Sequence, residues 1–138
     1  MTVSSINSHD KERPILVTGG AGFIGTNFIL DWLKTEKAPI INLDKLTYAG
    51  NLDNFSAISP DSMIEFIHGD IGDTELVRAL LERARPQAIL NFAAESHVDR
   101  SIRDPAEFID TNIVGTFKLL ESEEHTSELQ SRCRISYA

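Results

Sequence analysis

The sequence contains little of what marks several common protein classes. Its 138 residues include one cysteine, which excludes an internal disulfide and a cysteine-rich zinc site. It has no apolar run of about 18 residues, the length that a membrane-spanning helix needs. Its polar N-terminal residues lack the apolar stretch of a secretory signal. Basic residues are outnumbered, 13 against 21 acidic ones, and the formal net charge of -8 disfavours non-specific binding to nucleic acid or anionic membranes. We therefore expect a cytoplasmic protein that binds neither partner.

The composition, 41% hydrophobic and 25% charged, is that of an ordinary globular domain. Short apolar runs alternate with segments of helical periodicity, which is typical of an α/β protein with a parallel sheet. Right-handed crossovers then predict a truncated Rossmann-like sheet of about four strands in the order 3-2-1-4. The predicted strands are Ile15–Val17, Ile40–Leu43, Ile64–Ile67 and Ala88–Phe92. Residues 1–13 are expected to be a disordered leader, and residues 14–121 a partial NAD-binding domain.

The apolar periodicity ends after Glu121. The segment Ser122–Ala138 resembles a translated DNA-sequencing adapter, because SEEHTSELQS and ISYA both match it in frame with a variable index of three residues between them. The alternative is a natural polar tail. We interpret 122–138 as a non-native tail outside the fold, so that His125 and Cys133 carry no functional information and the fourth strand forms a sheet edge.

A glycine-rich turn, Thr18–Gly25 (TGGAGFIG), joins the first strand to the first helix. Gly19 permits a tight turn, Gly22 lets the backbone approach a pyrophosphate, and Gly25 lets the helix lie close to the sheet. The pyrophosphate would then sit at the positive end of the helix. The alternative is a purely structural turn, but the strand-turn-helix context favours dinucleotide binding.

Two aspartates follow the next two strands. Asp44 lies 19 residues after Gly25, where a carboxylate can accept hydrogen bonds from ribose hydroxyls and repel a 2′-phosphate, which favours NAD over NADP. Lys45 beside it weakens that exclusion. Asp70 follows the third strand and is expected to accept from the adenine amino group while Ile71 packs on the ring. The alternatives are a surface acid for Asp44 and a turn or capping role for Asp70.

The segment Phe92–Arg100 (FAAESHVDR) follows the fourth strand. The two alanines leave room for a cofactor over the backbone, and polar residues then crowd the nicotinamide end of the crevice. His97 lacks a partner fixed by sequence and is more often structural in such a position. Ser96 lacks a base and is therefore a hydrogen-bonding group rather than a nucleophile. No metal site is expected.

Together these segments resemble the N-terminal part of the dTDP-glucose 4,6-dehydratase family, in the extended short-chain dehydrogenase/reductase group. The specific motifs are NLDKLTYAGNLDN (Asn42–Asn54) and AAESHVDRSI (Ala93–Ile102), whereas TGGAGFIG indicates only the group. A UDP-glucose 4-epimerase-like enzyme is the alternative, disfavoured by AAESHVDRSI. A second alternative is a dinucleotide-binding module without catalysis.

The resemblance implies NAD as cofactor, dTDP-glucose as substrate and a homodimeric full-length enzyme. It implies a lyase that makes the 4-keto-6-deoxy sugar nucleotide used in rhamnose biosynthesis and related pathways. It implies that Phe23 and Ile24 lie on the pyrophosphate and that Ser96 also touches the sugar nucleotide. The implied cofactor contacts are Gly19, Gly22, Phe23, Ile24, Gly25, Asp44, Lys45, Leu46, Thr47, Asp70, Ile71, Phe92, Ala93, Ala94, Glu95, Ser96 and Thr111.

The family's catalytic segments, Thr-Asp-Glu and Tyr-x-x-x-Lys, do not occur in these 138 residues. Neither Tyr48 nor Tyr137 has a lysine four residues later. We therefore expect no catalytic residue here and no dehydratase activity from this chain alone.

Overall fold

A parallel sheet forms the centre of the computed structural model, which describes residues 13–36, 38–46, 52–56, 58–59, 62–94, 102–103, 105–124 and 135–137. Its strands run in the order β3-β2-β1-β4-β5, so the predicted Rossmann-like order 3-2-1-4 is confirmed. The strands are β1 (Ile15–Thr18), β2 (Ile40–Asp44), β3 (Ile64–His68), β4 (Ala88–Asn91) and β5 (Ile135–Tyr137). The helices are α1 (Phe23–Thr35), α2 (Thr74–Ala84), α3 (Pro105–Ile109), a π-helical segment (Asp110–Gly115) and α4 (Thr116–Glu124), with one 3₁₀ turn at Leu52–Phe55.

The C-terminal segment differs from the expectation that it lies outside the fold. Helix α4 continues to Glu124, because extending an existing helix carries no nucleation cost. Within this extension Ser122 is fully buried. Strand β5 pairs in parallel with β4, with Ile135 opposite Ile89, so β4 is not an edge strand and the described residues form a sheet of five strands. A strand edge presents backbone N–H and C=O groups that any extended segment can pair with. Whether residues 122–138 are non-native stays a prediction.

Two apolar clusters cover the two faces of the sheet, because consecutive strand residues point to opposite sides. One cluster lies on the α1 side around Val17 and Ile29, and the other lies against α2 and α4 around Leu16 and Leu119. Phe28 and Trp32 pack against the α1-side cluster, with ring centroids 5.7 Å apart. The helical spacing of these aromatic residues therefore serves packing.

The last predicted helix is interrupted by the π-helical turns Asp110–Gly115. The wider turn brings the backbone of Gly115 against Ile71: a Cβ at Gly115 would lie 3.0 Å from the Ile71 side chain. Insertions of this kind are rare and often occur near functional sites. In the part of the chain that the structure describes, no helix has the length and apolarity needed to cross a membrane.

Candidate functional site

The predicted site residues gather where four parallel strands end. In an open α/β sheet, ligands bind in the crevice beyond the carboxyl ends of the strands, where the strand order reverses. Here that point lies between β1 and β4, with β2 on the other side of β1. Three segments meet there: the glycine-rich turn after β1, Asp44 at the end of β2, and Phe92 to Ala94 after β4.

Gly19 opens the turn in a left-handed conformation, with φ of 71°. Its N–H donates to the Leu43 carbonyl oxygen of β2 at 2.9 Å. A Cβ at this position would lie 2.4 Å from the Ala93 backbone nitrogen. The structure therefore confirms that a tight turn requires glycine here, and it adds the close passage of the segment after β4.

Gly22 and Gly25 differ in what surrounds them. A Cβ at Gly25 would lie 2.5 Å from the Gly19 carbonyl oxygen, so this glycine lets α1 pack against the turn rather than against the sheet itself. Gly22 has an ordinary extended backbone, with φ of −75° and ψ of 173°. The nearest atom to a Cβ there is the Gly19 carbonyl oxygen, at 3.4 Å. The fold does not require glycine at position 22, so its role is expected toward a ligand.

Helix α1 begins at Phe23 with an N-terminus suited to an anion. Gly22 precedes it without a side-chain capping bond, and the first turn holds no acidic residue. The first helical bond is from Thr26 N–H to the Gly22 carbonyl oxygen, so the N–H groups of the three residues between them have no acceptor within the helix. Phe23 and Ile24 are 84% and 59% exposed. A pyrophosphate would supply the missing acceptors and match the positive helix end, so these residues fit a dinucleotide.

Asp44 is a buried carboxylate rather than a surface acid. Its Oδ2 accepts from Ala21 N–H at 2.8 Å, and its Oδ1 accepts from Leu46 N–H at 2.7 Å. The second bond holds Leu46 at a φ of 51°, a conformation that bulky side chains seldom adopt. Each carboxylate oxygen can accept a further hydrogen bond. Asp44 thus joins the glycine-rich turn to the end of β2 and still has acceptor capacity for ribose hydroxyls.

Asp70 and Lys45 form an ion pair across the ends of β3 and β2, with Oδ2 and Nζ 3.1 Å apart. Asp70 Oδ1 accepts from Gly72 N–H at 2.8 Å, so the turn alternative for Asp70 is present in the structure. Burial raises the pKa of this carboxyl, but the Gly72 N–H and the Lys45 ammonium outweigh it and hold the pKa below its ordinary value. The ring of His68 also contacts the Lys45 carbonyl oxygen, at 2.9 Å. Adenine recognition by Asp70 stays a prediction.

The lowered pKa of Asp70 predicts a loss of stability in acid. A group whose pKa is lower in the folded state stabilises the fold above its unfolded pKa of about 3.9, and this contribution disappears as the pH falls through the folded value. The side chains of the pair are 47% and 43% exposed, so we expect only about 0.2–1 kcal/mol. Asp70→Asn should remove this acid-dependent component of the free energy of unfolding, measured by urea denaturation from neutral pH down to pH about 3. An unchanged pH dependence in the variant would contradict it.

Three further implied residues make contacts within the fold. The Ile71 side chain is 4% exposed and belongs to the α2-side cluster, where the π-helical turn at Gly115 packs against it. Packing of Ile71 on an adenine ring stays a prediction. The Phe92 ring packs on Phe28, with centroids 5.5 Å apart. Thr111 lies half-buried in the π-helical segment. The part of Phe92 that lies against the glycine-rich turn is its backbone rather than its ring.

Three polar residues that the sequence analysis did not single out shape the site. Asn42 in β2 accepts from Gly20 N–H at 3.0 Å. Thr18 donates to Asn91 Oδ1, and Asn91 Nδ2 lies 3.5 Å from the Thr116 hydroxyl of α4. All three are buried. Polar residues inside otherwise apolar strands were the available sequence signal, because buried polar groups are normally hydrogen-bonded.

Several implied residues lie outside the described part of the chain, namely Thr47, Glu95, Ser96 and His97. Their roles stay predictions. Among the described residues, no group of three or more His, Cys, Asp or Glu side chains is placed to hold a metal ion.

Comparison with known proteins gives a consistent result. Residues 16–138 match the family model described as GDP-mannose 4,6 dehydratase. A dTDP-glucose 4,6-dehydratase of Xanthomonas campestris pv. campestris (strain B100) is 55% identical over 107 residues, which are 78% of this chain and 30% of that protein. This chain thus spans about 30% of the length of the curated relatives that it matches first.

Solved structures agree with the fold. A dTDP-glucose 4,6-dehydratase from Streptomyces venezuelae, with NAD and TYD bound, is 45% identical with a TM-score of 0.74, covering 79% of this chain and 35% of that one. A UDP-glucose 4-epimerase from Thermotoga maritima, with UDP-glucose, is 32% identical with a TM-score of 0.71, covering 83% and 35%. The dehydratases are the more similar of these in sequence.

Proposed function

The chain belongs to the family described as GDP-mannose 4,6 dehydratase, and we propose that it is the NAD-binding, N-terminal part of a dTDP-glucose 4,6-dehydratase. One observation carries the cofactor assignment. Gly22, whose backbone any residue could adopt, carries no side chain beside an α1 N-terminus that has neither a capping side chain nor an acidic residue in its first turn. Homologous dehydratase structures hold NAD.

The residues of this chain would bind and orient the dinucleotide. The N–H groups at the start of α1 would hold the pyrophosphate, and Asp44 would accept from the adenosine ribose hydroxyls with the oxygen lone pairs that Ala21 and Leu46 leave unused. Its buried negative charge would also disfavour a 2′-phosphate. When bound, NAD would supply a reversible hydride acceptor for the sugar.

We propose that this chain alone does not turn over the substrate. The elimination of water needs a placed base and a placed acid, and such groups typically contribute about 10²–10⁴-fold each in rate. The segments that carry them in the family, Thr-Asp-Glu and Tyr-x-x-x-Lys, are absent from the 138 residues. Ser96 would contact the sugar nucleotide without supplying either group.

The test is calorimetric titration of the 138-residue chain with NAD and NADP, followed by incubation with dTDP-glucose and NAD. We expect saturable NAD binding that is tighter than NADP binding, and no 4-keto-6-deoxy product by absorbance in alkali. A folded chain that binds no NAD would overturn the cofactor assignment. Turnover that survives removal of host dehydratase and disappears in His97→Ala would overturn the proposed inactivity.

A UDP-glucose 4-epimerase-like enzyme is the second candidate, favoured by the likeness to the Thermotoga maritima epimerase. Its lower identity, 32% against 45% for the Streptomyces venezuelae dehydratase, favours dehydration. The genomic sequence beyond Glu121 separates the candidates. An open frame with Thr-Asp-Glu and Tyr-x-x-x-Lys supports the dehydratase and a non-native tail, and its product can be assayed with dTDP-glucose and UDP-glucose.

The proposal includes a cytoplasmic location and a homodimer for the full-length enzyme. Ile109, Ile113 and Phe117 recur at four-residue spacing and are 49%, 61% and 63% exposed. Side chains four residues apart lie on the same face of a helix, so α3, the π-helical segment and α4 present an apolar surface that a second subunit could cover.

A further inference from the structure

Asn42 lies near the centre of β2, with its side chain fully buried. Its register partner in β1 is Val17, so the amide shares the α1 side of the sheet with apolar residues. A buried carboxamide in such surroundings is unfavourable unless its hydrogen-bonding capacity is used. Its contacts therefore indicate why an amide occupies this position.

One end of the Asn42 amide holds the glycine-rich turn. Its Oδ1 accepts from Gly20 N–H at 3.0 Å. Asp44, two residues later on the same face of the strand, accepts from the next N–H of the turn, that of Ala21, at 2.8 Å. Two side chains of β2 thus hold two consecutive N–H groups immediately before the turn enters α1.

The other end of the amide lacks a partner. An N–H group can only donate, so Gly20 fixes the orientation in which the carboxamide oxygen faces it. Within the part of the chain that the structure describes, the buried Nδ2 is left without a hydrogen-bond partner. An unsatisfied buried donor is destabilising; an apolar side chain of similar size would remove this donor but would leave Gly20 N–H without its acceptor. Among the residues that the structure describes, the hydrogen bond to the turn is the interaction that accounts for asparagine.

We propose that Asn42 is a positioning residue for the cofactor, which fixes the Gly20–Ala21 turn and thereby the N-terminus of α1 in the conformation that accepts a pyrophosphate. The inference rests on the proposed NAD site. Asn42 satisfies Gly20 N–H but leaves its own Nδ2 without a partner, so it gives no net gain in stability over an apolar residue. A residue present only for packing would show no such conflict.

Two substitutions separate positioning from packing. Asn42→Leu removes one donor without a partner, Nδ2, and creates another, Gly20 N–H. The thermal unfolding midpoint should therefore change little, while the turn loses its hydrogen bond to β2. Asn42→Asp keeps an acceptor for Gly20 but buries a second carboxylate near Asp44, so the midpoint should fall while the turn stays held. Asn42→Leu should therefore lose more NAD affinity than Asn42→Asp, whereas Asn42→Asp should lose more stability than Asn42→Leu.

The measurements are the NAD dissociation constant by calorimetry, the unfolding midpoint, and hydrogen exchange of the Gly20 amide, all on the 138-residue chain. For Asn42→Leu we expect a dissociation constant about 2- to 10-fold higher, the fold-change for one lost neutral hydrogen bond, and loss of Gly20 protection. For Asn42→Asp both should stay close to the unmutated values, measured below its unfolding midpoint. Ile89→Val is the control: this residue is buried on the other side of the sheet and should lower stability without changing NAD affinity.

The outcomes distinguish this inference from the proposed function. If the unmutated chain is folded but binds no NAD, the proposed function fails. If it binds NAD, and Asn42→Leu keeps both the affinity and the Gly20 protection, the positioning role is overturned. It is also overturned if affinity follows stability across all variants. If Asn42→Leu does not fold, Asn42→Ala removes the same acceptor and takes its place.

Discussion

One added methyl group at position 22 is expected to weaken NAD binding by about 10- to 100-fold, which is the loss of one charge-assisted hydrogen bond of about 1.5–3 kcal/mol. The backbone at Gly22 is in an ordinary extended conformation, and among the described residues the new Cβ of Gly22→Ala would meet only the Gly19 carbonyl oxygen, at 3.4 Å. Gly22 is the N-cap of α1, where alanine is less favourable than glycine, so the free energy of unfolding should fall by no more than about 1 kcal/mol. The methyl group would instead occupy the space through which a pyrophosphate approaches α1.

Gly19→Ala is the matched control, because the same methyl group should there destabilise the fold. The φ of 71° at Gly19 costs an alanine about 1–2 kcal/mol, and the new Cβ would lie 2.4 Å from the Ala93 nitrogen. We expect a loss of about 2–5 kcal/mol in the free energy of unfolding, measured in urea. If Gly22→Ala unfolded, or if it bound NAD as tightly as the unmutated chain, the assignment of Gly22 to the cofactor would be wrong.

Replacing Asp44 by alanine is expected to remove the preference for NAD and much of the stability. The carboxylate accepts from Ala21 N–H and Leu46 N–H, and each buried donor left without an acceptor costs about 1–3 kcal/mol. The variant also loses the acceptor for the ribose hydroxyls and the charge that repels a 2′-phosphate. NAD affinity should fall by at least about 10-fold, and the ratio of NADP to NAD dissociation constants should approach one.

Calorimetric titration with both cofactors, together with urea unfolding, tests this expectation. Glu65→Gln is the control, because it makes the same change in net charge near the opposite end of β3, in an exposed ion pair with Arg83. It should leave both dissociation constants unchanged. Equal affinity of the unmutated chain for NAD and NADP, or a preserved NAD preference in Asp44→Ala, would refute the role of Asp44.

Local sequence signals predicted the elements of the site well. The spacing of the glycines after an apolar strand predicted the turn, and Gly19 indeed adopts a positive φ. The position of Asp44 at the end of the second strand predicted a carboxylate for the ribose hydroxyls, which stays a prediction, whereas its bond to Ala21 N–H is known only from the structure. Both signals are local because they depend on the conformation of a few consecutive residues.

Contacts between distant segments were harder to predict from the sequence. The sequence did not indicate the core position of Ile71, because it depends on the π-helical turn at Gly115, 44 residues further along the chain, which packs against it. The amide of Asn42 was overlooked because its use depends on Gly20, 22 residues away. No periodicity in the sequence predicted the pairing of Ile135–Tyr137 with β4, since backbone ladders form without particular side chains.

The sequence by itself determined the alternation of strands and helices, the strand order β3-β2-β1-β4, and the glycine-rich turn before the first helix, because periodicity, chirality and glycine conformation are properties of short segments. Only the tertiary structure decided which donors each buried polar group receives. Asp44 and Asn42 share the N–H groups of one turn, and Lys45 pairs with Asp70. The physical reason is that a buried polar atom takes whichever partner the packing brings within about 3 Å, and that distance is set by the assembled sheet rather than by sequence spacing.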